Sequence, residues 1–169
     1  MHTFQPITQD FMDVNPFNMI AKDGMLVTSG SKDDYNTTIA IGGGLGVLWE
    51  SNVAFIVIKD SKYINEFIDK TGKFSLTFFD GSFSKELKYI GAVSGRDEDK
   101  LSNAMMNINY HEPTGTPFID EGKMVLICEC VTELPISAKN MDPSMAGKNF
   151  DPNDQNVMYV GKIVEFMAR

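Results

Sequence analysis

The residues that most suggest chemistry are Asn36-Thr37-Thr38-Ile39-Ala40-Ile41, followed by Gly42-Gly43-Gly44-Leu45-Gly46-Val47-Leu48-Trp49. An apolar, β-branched run with small polar residues at its start breaks into three glycines and ends on the chain's only tryptophan. A strand that stops at a glycine run lets another object come close to the backbone, because no Cβ holds it away. The aromatic that follows can then lie against that object. These types at this spacing predict a site for a flat ligand, part apolar and part anionic. Gly44-Leu45-Gly46 begins like G-x-G-x-x-G, but Trp49 stands where the third glycine belongs, and tryptophan does not allow close helix–strand packing there. No G-x-x-x-x-G-K-[ST] occurs either. Taken alone, the run is equally well a bend in a barrel with a core tryptophan.

Other chemistries have less support. There is no Ser-His-Asp or Cys-His constellation, which counts against hydrolases. Two histidines, His2 and His111, and the lack of Cys-x-x-Cys make a built-in metal site a poor reading. Cys128 and Cys130, two apart in an apolar run, would share one face of a strand and read as structural thiols. A net charge of −8 with no dense Lys/Arg cluster argues against nucleic acid. The longest apolar stretch, 53–58, is far short of a membrane span, and the N-terminus has no signal-like core, so the chain is expected in the cytoplasm without membrane attachment.

The elements that must position these residues follow from period and punctuation. Strands are predicted over 24–30, 36–41, 53–58, 73–79, 123–134 and 156–166, with 53–58 apolar enough to be buried on both faces. Asn15 caps a helical turn that starts at Pro16. Ser61 should cap a helix over 62–70, with Tyr63, Ile64, Phe67 and Ile68 inward and Gly72 at its end. Shorter helices are predicted over 84–90, stopped by Gly91, and over 97–106. Residues 135–155, rich in Asn, Asp, Pro and Gly, read as a surface excursion. Five or six strands without a crossover helix after each one predict a mainly β fold, a β-barrel with peripheral helices. With 169 residues, 43% hydrophobic, one domain over 1–169 is expected.

Three segments in register resemble the flavin reductase-like family, the FMN-binding split barrels, and within it the flavoredoxin-like branch. They are Asn36-Thr37-Thr38-Ile39-Ala40 with Gly43 to Trp49; the strand, basic loop and helix of 53–68; and Phe78-Phe79-Asp80 followed by Ser94-Gly95-Arg96-Asp97-Glu98-Asp99-Lys100. The resemblance implies an antiparallel, Greek-key split β-barrel with peripheral α-helices, a homodimer with one FMN per subunit. It implies that Asn36, Thr37, Thr38 and Ala40 line the flavin ring edge. Trp49 would shape the ring pocket or the partner contact, Lys59, Ser61 and Lys62 would meet the phosphate, and Ser94, Gly95 and Arg96 would form a loop over the ligand. The chain departs from the family at Ile64, where relatives commonly carry threonine. Against these roles stand plainer ones: Lys59 and Lys62 as solvated charges, Ser61 as a helix cap, Arg96 paired with the carboxylates that follow it, and Tyr63 and Phe67 as core.

The implied activity is flavin reductase-type oxidoreduction, with electrons passing from NAD(P)H to flavin. The alternative is a flavoredoxin-like FMN electron-transfer or flavin-carrier protein fed by a redox protein. A barrel without flavin, acting as a binding module, is the third reading.

Overall fold

A computed structural model describes residues 2–8, 10, 14–40 and 42–169. One antiparallel sheet dominates. Its strands are β1 (Gln5–Ile7), β2 (Met25–Ser31), β3 (Asp34–Ala40), β4 (Gly43–Leu48), β5 (Ser51–Lys59), β6 (Lys73–Phe78), β9 (Met124–Ile136) and β10 (Asn156–Ala168). The hydrogen-bonded order is β3-β2-β6-β9-β10-β5-β4, with β1 also on β10. The strands β7 (Ile108–His111) and β8 (Thr116–Ile119) form a separate hairpin. The sheet curls round a core to which β2, β5, β6, β9 and β10 all contribute, including Met25, Ile56, Phe74, Leu126 and Tyr159. The ends of the order, β3 and β4, share no ladder among the described residues, so the barrel is split at that seam.

The helices lie outside the sheet. Ile64–Thr71 forms α1, which buries Ile64, Phe67 and Ile68 and ends at Gly72 in the left-handed region (φ 66°). Ser84–Ala92 is α2, Lys100–Asn103 is α3 and Pro143–Asn149 is α4. A second apolar cluster joins Leu87 and Ile90 of α2 to Leu101 of α3 and Leu26 of β2. It holds the chain between α2 and α3 against the outer side of the β2–β3 hairpin.

Several sequence expectations need correction. The structure has more strands than the five or six predicted. The strands β1, β7 and β8 have only three or four residues each, too few for a period to register. The glycine run itself is a strand, β4, because pairing with β5 supplies what glycine's own propensity does not. On β5, Phe55 and Val57 are only half-buried, so that strand is not covered equally on both faces. Ser61 does not cap α1; Tyr63 occupies the cap position without a side-chain bond, and Ser61 donates elsewhere. Gly91 lies inside α2, and the predicted helix over 97–106 shrinks to α3, capped by Asp99 through Ser102 N–H at 3.1 Å. The Asn15 cap is present, its Oδ1 accepting from the N–H of Phe17 at 3.1 Å and of Asn18 at 3.3 Å. Ile41, the predicted end of its strand, lies outside the described residues.

Candidate functional site

Two adjoining clefts open beside the β3 edge of the split. The broader, about 480 Å³, lies between β3, the start of α1 and residues 95–101. The narrower, about 190 Å³, runs between Thr38, the Ser61–Ile64 turn and residues 92–96. Asn36, Tyr63, Gly95, Arg96 and Lys100 line both, so they are two lobes of one site.

Strand alternation sorts the β3 residues. Thr37 turns its hydroxyl toward β2, donating to Val27 O at 3.0 Å and meeting Thr28 Oγ1 at 3.0 Å. On either side of it, Asn36 and Thr38 open into the clefts. Thr38 Oγ1 is buried without a hydrogen-bond partner among the described residues. Asn36 is 6% exposed. Gly95 makes room for its amide, since a Cβ there would come within 2.4 Å of Asn36 Oδ1. Buried polar groups are nearly always paired, so the Thr38 hydroxyl, orphaned beside the narrow lobe, marks a place where a ligand can supply the bond.

The narrow lobe is cationic. Lys100 is 5% exposed, and its Nζ donates to Thr37 O at 2.5 Å and Ile90 O at 3.4 Å. Lys62 Nζ reaches Gly91 O at 3.4 Å. Neither ammonium has a carboxylate within ion-pair distance among the described residues. Burial, helped by the nearby Lys62 charge, pushes the Lys100 ammonium down to about 8. A buried ammonium in that state gains from an incoming anion, which would restore its charged form.

The broad lobe is aromatic with an acidic rim. Tyr63 and Phe67 meet edge to face at 4.9 Å between centroids, and the Arg96 guanidinium lies 4.4 Å over the Tyr63 ring. Arg96 also pairs with Glu66, not with the carboxylates that follow it. Asp33, Asp34, Asp97, Glu98 and Asp99 stand round this lobe. Burial, with Asp99 adding to it, raises the Tyr35 hydroxyl above the usual range for tyrosine.

The family model described as flavin reductase like domain matches residues 18–169. The chain belongs to the flavin reductase-like family. Solved structures of similar fold include flavoredoxin from Methanosarcina acetivorans, with a TM-score of 0.68 and 23% identity over 87% of this chain and 68% of that one. A protein with a split barrel domain from Shewanella frigidimarina NCIMB 400 has a TM-score of 0.69 and 14% identity, covering 91% and 72%. An FMN-binding protein from Thermus thermophilus, solved with p-hydroxybenzaldehyde, has a TM-score of 0.70 and 15% identity, covering 100% and 81%. No curated protein sequence matches. At these identities the solved structures establish the split-barrel fold of this family member and nothing finer.

Within that fold, the structure gathers Asn36, Thr37, Thr38, Ser61, Lys62, Ser94, Gly95 and Arg96 around the two lobes. It does not bring the other three candidates there. Ala40 is buried in the barrel core. Trp49 is 75% exposed on the turn after β4, with φ 48°, and lines neither lobe. Lys59 pairs with Asp154 at 3.3 Å and also lies outside both. Lys100, Tyr35, Tyr63 and Phe67 are lining residues that the candidate set omitted. Lys100 was within reach of sequence reasoning, as the last residue of Ser94-Gly95-Arg96-Asp97-Glu98-Asp99-Lys100. The aromatics carried no signal beyond an amphipathic period, which predicts core.

Among the described residues, no group of His, Cys, Asp or Glu is arranged to hold a metal, and no helix is long and apolar enough to cross a membrane.

Proposed function

We propose that the double cleft binds FMN and that the protein is a flavin reductase-type oxidoreductase taking electrons from NAD(P)H. The observation that carries this reading is the narrow lobe. Two lysine ammonium groups flank a buried threonine hydroxyl, and among the described residues neither ammonium has a carboxylate partner and the hydroxyl has no hydrogen-bond partner, a donor set suited to a phosphate. In this reading Lys62, Lys100 and Thr38 hold the phosphate, and Ser94 closes over it. Ile64 brings no hydroxyl to the lobe, and Lys100 supplies charge from the other side. Asn36 and the backbone of Thr37 meet the polar edge of the ring, while Tyr63, Phe67 and Tyr35 wall the broad lobe and exclude water. Bound flavin supplies the redox chemistry, so no side-chain nucleophile is required.

The acidic rim favours a second reading, in which a basic redox protein docks over the broad lobe and delivers electrons as it would to a flavoredoxin. The absorption spectrum of the purified protein tests the common part, since oxidised-flavin bands are expected and a colourless protein that takes up no FMN would refute it. Anaerobic addition of NADH or NADPH then separates the readings: prompt bleaching supports the reductase, and bleaching only by a protein donor supports the carrier.

A symmetric homodimer belongs to the same proposal. The end strand β4 carries Val47, 72% exposed, beside the exposed Trp49, and burying these against a second copy would remove an open sheet edge. Light scattering should give twice 18.8 kDa, and a monomer mass in flavin-loaded protein would refute the dimer. Cys128 and Cys130 are both free thiols, which fits the reducing cytoplasm.

A further inference from the structure

The segment before β10 places a carboxylate on the turn that leads into α1. Asp154 accepts hydrogen bonds from Ser61 N–H at 3.0 Å and from Ser61 Oγ–H at 3.0 Å, and its Oδ2 lies 3.3 Å from Lys59 Nζ. The neighbouring Asp60 N–H donates to Gln155 O at 2.7 Å, which fixes the segment against the turn. A backbone N–H, a hydroxyl and an ammonium converging on two anionic oxygens would serve a phosphate as readily as a carboxylate. Burial would by itself raise the Asp154 carboxyl, but the Ser61 and Lys59 bonds pull it below the usual carboxylate range. Ser61 also lines the narrow lobe, beside Lys62, so an anion seated there meets donors already engaged.

We infer that Asp154 is a built-in competitor for the ligand's phosphate, holding Ser61 until a phosphate seated in the narrow lobe takes it and residues 151–155 are released. The inference rests on the flavin reading above. It also supplies a direction of exchange, because a phosphate monoester near neutral pH carries close to two charges and three acceptor oxygens, against one charge and two oxygens on Asp154.

The test compares the full-length protein with its Asp154→Asn variant, titrating each with FMN and with riboflavin, which lacks the phosphate, by quenching of flavin fluorescence. The variant should bind FMN at least about threefold more tightly, the worth of an exposed ion pair, with riboflavin unchanged. Hydrogen exchange on the unaltered protein gives a second readout: saturating FMN should speed exchange of the 153–155 amides, and riboflavin should not. Weaker FMN binding in the variant would mean that Asp154 merely shapes the turn, and would overturn the proposal. Unchanged FMN affinity, equal shifts for both flavins, or exchange slowed by FMN would overturn it too. Failure of either flavin to bind the unaltered protein would remove the flavin reading itself, and the proposal with it.

Discussion

Gly43 and Gly44 on β4 and Gly95 in the loop before α3 all stand where an added Cβ would collide with something. At Gly43 the obstacle is Phe55 O, 2.3 Å away across the β4–β5 ladder, and at Gly44 it is the Phe55 ring at 2.6 Å. At Gly95 it is the Asn36 amide at 2.4 Å, a polar group that lines both lobes of the cleft. The first pair lets the barrel's own strands close together; the last lets a polar side chain reach a cavity. A missing Cβ shows that something comes close, but not whether the visitor is the protein's own backbone or a ligand. The tryptophan next to the glycine run lies exposed on a turn away from the clefts of its own subunit.

Substitutions can break this contrast. The largest effect is expected for Gly43→Val, which sets a branched side chain against a backbone oxygen that cannot move without unpairing β4. Stability should fall by about 3 kcal/mol, the upper end for overpacking, read as a lower melting temperature. The ratio of FMN to riboflavin affinity should stay as it was in whatever protein folds. A selective loss of FMN instead would return the glycine run to the site.

Lys100→Met tests the opposite region. Loss of a charge-assisted contact of about 1.5–3 kcal/mol should weaken FMN roughly 10- to 150-fold and leave riboflavin much less affected. Equal losses would make Lys100 a structural tether of β3 alone. The pH dependence sharpens the point. With its free-state value near 8, Lys100 loses its proton above that pH and must regain it to meet a phosphate. FMN affinity should therefore fall as pH rises above about 8, approaching tenfold per unit, while riboflavin affinity stays flat; parallel curves would refute the assignment.

Trp49→Ser should do least. At an exposed site the change in subunit stability is expected within about ±0.5 kcal/mol, with flavin affinity unaltered in the monomer. A clear loss of flavin from monomeric protein would show that the tryptophan reaches the ring after all.

The main strands and α1 were legible in the sequence because each is long enough for its apolar period to show. Half of the lining of the two clefts was legible too, since Asn36-Thr37-Thr38 and Ser94-Gly95-Arg96 are short contiguous motifs. The other half was not. Tyr63 looks like core on a helical period, and whether it is walled in or left beside a cavity depends on how far residues 95–101 stand off; Phe67 is the core residue its period predicts. Lys59 and Ser61 share a carboxylate, Asp154, more than ninety positions later in the chain, and no local pattern announces that contact.

The sequence alone determined the mainly β barrel with outer helices, the exclusion of a dinucleotide fingerprint and the family resemblance. These depend on local composition, period and spacing, which a chain carries whether or not it is folded. Only the tertiary structure decided that β4 pairs with β5 through its glycines, that Lys100 is buried beside Thr37 O, and that Asp154 lies on the Ser61 turn. Each of those depends on groups distant in sequence coming within a few ångströms, and on which charges lose their water when they do.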